Sequence, residues 1–148
     1  MRTKVADIMT REVETVQSVA TLREAAEKMR DRNVGSLPVY VGDVLTGMVT
    51  DRDITVKATA EGVSPSAGKV EDVMTWCMEW CREDDDVEAV AHVMETKSVR
   101  RLAVLDPGGE LVGIVTLSDL ATGPRDSALV EQVVEATRTP SRARPLEP

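Results

Sequence analysis

The chain has 148 residues, 42% of them apolar, and a formal net charge of −8. This length suits one compact domain with a sizeable core, and because Phe is absent we expect that core to be aliphatic and rich in Met. The acidic balance argues against nucleic-acid binding, which needs a basic face. No apolar run is long enough to span a bilayer and no signal segment opens the sequence, so we expect a cytoplasmic protein without a membrane partner.

The first sixty residues predict an opening helix followed by strand, helix, strand, strand and helix. Thr21 and Glu24 have the spacing of a capping box at the start of the second helix. Asn33 and Gly35 end this helix. Helical spacing of apolar residues predicts a core-facing stripe of Leu22, Ala25, Ala26 and Met29. The predicted elements are a helix at 5–9, a strand at 13–16, the helix from Thr21, a hairpin of strands at 37–41 and 44–50, and a helix from 51 to about 60.

The same order of elements starts again at residue 70. The segment VADIMT at 5–10 returns as VEDVMT, an offset of 65 positions from residue 5 to residue 70. Asp86 is placed to cap the next helix, and a hairpin surrounds the turn signal Asp-Pro-Gly-Gly, with strands at 102–105 and 111–116. Such self-similarity indicates duplication of one supersecondary unit. The predicted division is repeat 1 at 1–62, a linker at 63–69, repeat 2 at 70–123, a C-terminal helix at 124–138 and a disordered tail at 139–148.

Two strand-to-helix corners stand at matching places in the repeats. Residues 47–53 read GMVTDRD and residues 113–119 read GIVTLSD, so in each an apolar run leads into a Thr and an Asp follows three residues on. The Thr is placed to cap the next helix. We expect each corner to offer a hydroxyl, a carboxylate and free backbone N–H groups, which suit a ribose and a phosphate. One copy alone could be a simple capping motif, but two copies favour a binding site.

In combination these features resemble a CBS-domain pair, the regulatory unit also called a Bateman module, over roughly residues 1–123. The resemblance rests on the D-h-M-T opening, the helix stripe, the Leu-Pro-Val or Leu-Ala-Val strand and the G-h-V-T-x-x-D corner, which follow one another in both repeats. It implies an α+β (α/β) fold of tandem β-α-β-β-α repeats, packed sheet to sheet about a pseudo-twofold axis with two clefts. In this family the clefts often bind AMP, ADP, ATP or S-adenosylmethionine.

The resemblance also implies which residues contact such a ligand. Asp53 and Asp119 match the family Asp that bonds ribose hydroxyls, and Thr50 and Thr116 match a hydroxyl that contacts ribose or phosphate. A carboxylate suits this role because it can accept hydrogen bonds from both vicinal hydroxyls of a ribose. These four residues are therefore the first candidates for ligand binding.

A basic pair occurs in the second repeat only. Arg100 and Arg101 stand where ligand-binding relatives often carry a basic residue that faces phosphate, and arginine suits that task through its forked donors. Arg101 is the stronger candidate. The first repeat has the uncharged pair Gly-Ser at 35–36, so we expect the two clefts to be unequal. Alternatively, the arginines form surface ion pairs with Glu95 or with the acidic run at 84–86.

The clearest departure between the repeats is the segment WCMEWC that ends at Cys81. Trp80 stands where Thr15 stands, which the resemblance places near the adenine edge of the cleft. There a Trp could stack on a purine, fill the cleft and exclude one, or cover the sheet or a subunit interface. Cys77 and Cys81 with the lone His92 are too few for a tetrahedral metal site, so we expect Cys81 to be a small buried residue.

Two functions remain open from the sequence. The first is a regulatory module in which an adenosine-containing ligand enters a cleft and shifts a homodimer or a protein partner. The second is a ligand-free dimeric adaptor. An enzyme is disfavoured, since no nucleophile with its base, metal cluster or Gly-rich phosphate loop is evident. We therefore expect no catalytic residue, no metal and no cofactor beyond a regulatory nucleotide or S-adenosylmethionine, with any effector protein on another chain.

Overall fold

The structure is a computed structural model that describes residues 3–122 and Val134. The predicted helix at 124–138 and the predicted tail at 139–148 lie outside the described residues, except for Val134. The chain mixes helices with two three-stranded sheets, as the resemblance implied. The elements are helices α1 (Val5–Ile8), α2 (Leu22–Arg32), α3 (Asp51–Asp53), α4 (Val87–Lys97) and α5 (Leu117–Thr122), a π-helical segment (Ile54–Ala58), 3-10 turns (Thr59–Glu61 and Val70–Asp72), and strands β1 (Val16–Gln17), β2 (Ser36–Val41), β3 (Val44–Thr50), β4 (Trp80–Arg82), β5 (Arg101–Leu105) and β6 (Leu111–Thr116).

Two compact units form, and their boundaries differ from those of the sequence repeats. One, which we call the first-repeat unit, comprises Val13–Met78. The other, the second-repeat unit, joins Met1–Glu12 to Glu79–Pro148, of which residues 3–12, 79–122 and Val134 are described. The opening segment of each sequence repeat therefore belongs to the unit that the other repeat builds.

In the first-repeat unit, α2 packs on the sheet β1-β2-β3, in which β1 is parallel to β2 and β3 is antiparallel to it. The strand predicted at 13–16 was wrong, because only Val16 and Gln17 pair with β2. Ala26 was also wrongly placed in the core stripe, since it is exposed. The core is aliphatic and contains Met, as composition predicted: Val16, Leu22, Ala25, Met29, Leu37, Val39, Val49, Ala58, Val70, Val73 and Met74.

Helix α2 begins and ends at the signals read from the sequence. The Thr21 hydroxyl accepts a hydrogen bond from the Glu24 backbone N–H (3.1 Å), a cap that contributes about 1 kcal/mol. Asn33 ends the helix in a left-handed conformation with φ 55°. The helix after β3 is less regular than predicted, because α3 passes into the π-helical segment and a 3-10 turn before Gly62, whose φ is 76°.

The second-repeat unit repeats this arrangement with α4 on the sheet β4-β5-β6. Asp86 occupies the cap position of α4, but its side chain does not cap the helix as predicted. Its carboxylate instead accepts from Lys4 Nζ (2.8 Å), which lies in the opening segment. The buried core of this unit consists of Val5, Met9, Cys81, Val90, Ala91, Met94, Leu102, Val104, Val115, Leu117 and Leu120.

Each opening segment makes a two-hydrogen-bond bridge to the strand that leads into a corner. Thr10 N–H donates to the Ile114 carbonyl (2.8 Å) and Ile114 N–H donates to the Thr10 carbonyl (3.0 Å). Thr75 and Met48 exchange the same two bonds at 2.9 and 3.0 Å. The Met-Thr end of each opening segment is thus fixed against β6 or β3, the strands that position the two corners.

Candidate functional site

Both predicted corners are closed capping boxes. At the first corner, residues 50–53, Thr50 N–H donates to Asp53 Oδ2 (3.0 Å) and Asp53 N–H donates to Thr50 Oγ1 (3.0 Å). At the second corner, residues 116–119, the corresponding distances for Thr116 and Asp119 are 2.8 and 3.2 Å. Each capping box therefore holds the Asp carboxylate beside its Thr hydroxyl through two bonds to the backbone.

The backbone N–H groups of the first corner are not free, which corrects the sequence expectation. Asp51 N–H donates to the Gly35 carbonyl (2.9 Å), and Arg52 N–H donates to Asp51 Oδ1 (2.8 Å). With the two bonds of the capping box, every N–H from Thr50 to Asp53 has an acceptor. Capping satisfies the orphan donors of a helix start, so a phosphate at this corner would need side-chain donors.

The Thr and Asp side chains retain hydrogen-bonding capacity after the boxes close. A threonine hydroxyl that accepts from a backbone N–H still has its own proton to donate, and each carboxylate oxygen can accept twice. The four side chains of Thr50, Asp53, Thr116 and Asp119 belong to partly buried residues, which gives them limited contact with solvent. The capping bonds by themselves therefore do not prevent either corner from binding the hydroxyl groups of a sugar.

The first corner contains an ion pair that the sequence reading missed. Lys57 Nζ lies 3.1 Å from Asp53 Oδ1 and 3.2 Å from the carbonyl oxygen of Val73. The Asp53 side chain is only 14% exposed, and the ammonium contacts one of its two carboxylate oxygens. The signal in the sequence was present, because Lys57 follows Asp53 by four residues, the spacing at which opposite charges pair on a helix.

Three of the predicted site residues share one face of the second sheet. Arg101 lies directly opposite Thr116 in the β5–β6 pair, and Trp80 lies opposite Ala103 in the parallel β4–β5 pair. Side chains two residues apart on a strand point to the same face. Arg101, Thr116 and Trp80 therefore project on the face opposite to the core residues, Leu102 among them.

The two arginines occupy different environments. Arg101 begins β5 and is partly buried, whereas Arg100 is exposed. The Arg100 carbonyl accepts from Leu117 N–H (2.9 Å), which holds its backbone beside the second corner. Within residues 3–122, Arg100 forms no ion pair with Glu95 or with the acidic run at 84–86.

Trp80 is 52% exposed on β4. The guanidinium carbon of Arg82 lies 5.1 Å from the centre of its ring, within range of a cation–π contact. Arg82 is also anchored by a hydrogen bond to the Asp106 carbonyl. One side of the indole is thus in contact with an arginine that the adjoining hairpin turn holds in place.

Thr15 lies immediately before β1 rather than in a strand. Its carbonyl accepts from Lys28 Nζ (2.7 Å), which ties this residue to α2. In the same sheet Ser36 lies opposite Thr50. Thr15, Thr50 and Asp53 belong to the first-repeat unit, whereas the other predicted site residues, Trp80, Arg100, Arg101, Thr116 and Asp119, belong to the second.

The cysteines differ in exposure and in chemistry. Cys81 is buried, and burial, with a smaller contribution from the charge of Asp85, raises its pKa to about 12. Cys77 is exposed. No set of three or more His, Cys, Asp or Glu side chains among the described residues could hold a metal ion.

The chain belongs to the CBS domain family, whose family model matches residues 5–58 and 70–124. It is a tandem pair of CBS motifs with the corresponding fold. Within the described residues, no helix has the length and apolar character needed to cross a membrane.

Two bacterial relatives match most of the chain. The CBS domain-containing protein YhcV of Bacillus subtilis is 40% identical over 117 residues, which cover 79% of this chain and 82% of YhcV. Hypoxic response protein 1 of Mycobacterium tuberculosis is 35% identical over 139 residues, covering 93% of this chain and 96% of that protein. A solved structure of Hypoxic Response Protein I, which holds two coordinated zinc ions, has a TM-score of 0.71 and covers 83% of this chain and 100% of its own.

A second similar structure contains adenosine compounds. It is the CBS domain pair of protein MJ0100 in complex with 5′-methylthioadenosine and S-adenosyl-L-methionine. That chain is 30% identical, with a TM-score of 0.71, and the match covers 82% of this chain and 94% of MJ0100.

Proposed function

We propose that this chain is a regulatory module that binds an adenosine-containing ligand at the second corner and has no catalytic activity of its own. Asp119 and Thr116 would bind the ribose hydroxyls, and Arg101 would bind a phosphate or another acceptor at the 5′ end. Trp80 would pack against the purine. A homodimer, or an effector protein on another chain, would respond to the bound ligand.

The observation that carries this proposal is the common face of Trp80, Arg101 and Thr116 beside the Asp119 box. It combines an aromatic ring, a forked cation, a hydroxyl and a carboxylate, which match a base, a phosphate and a ribose. The adenosine compounds bound by the CBS pair of MJ0100 support the same ligand class.

A dimeric adaptor that binds no ligand is the second candidate. The specific observation in its favour is that Lys57 already occupies Asp53 at the first corner. If the second corner also binds no ligand, the function would rest on contacts with other chains, which exposed apolar residues such as Trp76 and Val44 could make.

The test is a thermal-shift panel on the full chain with AMP, ADP, ATP and S-adenosylmethionine, run on the natural protein, Asp119→Asn and Asp53→Asn. A ligand at 100 times its dissociation constant stabilises the native state by about 2.7 kcal/mol, which raises Tm by several degrees. We expect one adenosine ligand to raise Tm in the natural protein and in Asp53→Asn but not in Asp119→Asn. A flat panel at millimolar ligand would favour the adaptor instead.

A further inference from the structure

The two corners differ in charge at one matched position. Asp51 N–H donates to the Gly35 carbonyl (2.9 Å), and Leu117 N–H donates to the Arg100 carbonyl (2.9 Å), so Asp51 corresponds to Leu117 and Gly35 to Arg100. At this contact the first corner has Gly35 and the carboxylate of Asp51, where the second has the cation of Arg100 and the apolar Leu117. Where the second repeat can attract a phosphate, the first presents a negative charge.

The Asp51 carboxylate lies directly against the residue that corresponds to Arg100. A Cβ atom at Gly35 would lie 3.1 Å from Asp51 Oδ2, so the carboxylate rests directly over the glycine. Gly35 is followed by Ser36, which lies opposite Thr50 of the first corner. The carboxylate is therefore placed beside the corner, against Gly35, whose counterpart is Arg100.

The neighbouring Lys57 ammonium already has partners and does not provide a prepared phosphate site in its place. The Lys57 ammonium is bound to Asp53 Oδ1 (3.1 Å) and to the Val73 carbonyl (3.2 Å). Since every backbone N–H from Thr50 to Asp53 also has an acceptor, an anion would meet the Asp51 charge without a backbone donor prepared for it.

We propose that Asp51 makes the first corner selective against phosphate, so that this corner takes only adenosine ligands with an uncharged 5′ end while a nucleotide binds at the second corner. This inference rests on the proposed function, because it assumes that the corners bind adenosine compounds. Asp51 is the residue that determines specificity, and it acts through its charge rather than its shape.

Adenosine and AMP test this directly because they differ only in the phosphate. Binding of both would be measured by calorimetry on the full chain in the Asp119→Asn background, which removes the second corner. Adding Asp51→Asn should raise AMP affinity about tenfold and leave adenosine affinity unchanged, because only the charge beside the phosphate is removed. Asp51→Leu, which copies residue 117, should act in the same way.

The matched control is Asp43→Asn in the same background, which removes an equal charge from the β2–β3 turn at the other end of the hairpin. It should change neither affinity. The inference is overturned if Asp51→Asn fails to improve AMP binding, if it improves adenosine binding equally, or if Asp119→Asn alone binds AMP as tightly as the natural protein does. Failure of the proposed function has a separate signature, in which the natural protein binds neither compound.

Discussion

Gly47 and Thr75 lie so close together that residue 47 has no room for a side chain. A Cβ atom at Gly47 would lie 2.0 Å from the Thr75 carbonyl oxygen, the same oxygen that accepts from Met48 N–H. Gly113 stands in the same relation to the Thr10 carbonyl, at 2.9 Å. The glycine of each corner pattern is thus required by the Met-Thr opening of the other repeat.

We predict that Gly47→Ala destabilises the protein by about 1–3 kcal/mol, because backbone must move to admit the methyl group. Gly113→Ala should cost less, since its contact with the Thr10 carbonyl is longer. Urea unfolding would measure both. Gly108→Ala is the matched control, because its nearest neighbour is a side-chain oxygen of Asp106 at 3.3 Å, and it should change stability by less than about 0.5 kcal/mol. Equal losses in all three variants would contradict this account.

The two cysteines should react at very different rates with a thiol reagent. Cys77 is exposed, whereas Cys81 is buried with its pKa raised to about 12, so its reactive thiolate is scarce at neutral pH. At pH 8 we expect one thiol to react rapidly and the other only after unfolding. Cys77→Ser should abolish the rapid phase, and two rapid thiols in the natural protein would contradict the burial of Cys81.

The same pKa predicts a loss of stability at alkaline pH. The Cys81 thiol ionises near pH 8.5 in the unfolded chain but near 12 in the folded one, so the unfolded state loses its proton first. The stability that the neutral, buried thiol contributes is fully present below about pH 8.5 and is lost as pH rises towards 12. Between pH 8 and pH 10 the free energy of unfolding, measured in urea, should therefore decrease more for the natural protein than for Cys81→Ala. Identical decreases would argue against a raised Cys81 pKa.

Glu14, which precedes β1, forms ion pairs with Lys28 and Arg32 of α2. Lys28, through a hydrogen bond and its charge, lowers the pKa of the Glu14 carboxyl, and Arg32 lowers it further. The stability this provides is present above the unfolded pKa and is lost as pH falls through the folded value. In an NMR titration, Lys28→Met should raise the Glu14 pKa more than Arg32→Met does. The reverse order would show that Arg32 dominates the pair.

Tryptophan fluorescence can separate the roles proposed for Trp80. The chain has two Trp residues, so Trp76→Phe leaves Trp80 as the only indole emitter. If Trp80 packs on the purine, AMP should change the emission of Trp76→Phe and leave that of Trp80→Phe unchanged. Trp80→Phe should weaken AMP binding only a few-fold, because an aromatic contact is worth about 0.5–1.5 kcal/mol beyond its buried area. If AMP changed the emission of Trp80→Phe, in which Trp76 is the remaining indole, the response would come from Trp76 and this role would be excluded.

Local patterns predicted much of the fold. The strands predicted at 44–50 and 111–116 are confirmed as β3 and β6, because each is a β-branched run between a turn and a capping Thr. The Thr50 and Thr116 boxes follow from the same three-residue spacing that identified them. These features depend on neighbours in sequence, which is why the sequence alone revealed them.

Other features depend on contacts between distant residues, and the sequence did not reveal them. β1 is shorter than predicted because parallel pairing with β2, and not alternation along 13–16, sets its length. Ala26 and Ala91 occupy matching positions, yet only Ala91 is buried. Likewise, the Gly35 carbonyl satisfies the Asp51 N–H, so the free donors expected at the first corner are absent.

Amide chemical-shift mapping during an AMP titration shows whether an adenosine ligand binds at the second corner. Saturable shifts are expected for the backbone amides of Arg101, Thr116 and Asp119 and for the Trp80 indole N–H. No saturable shift at millimolar AMP, or shifts that leave Thr116 and Asp119 unchanged, would contradict binding at this corner.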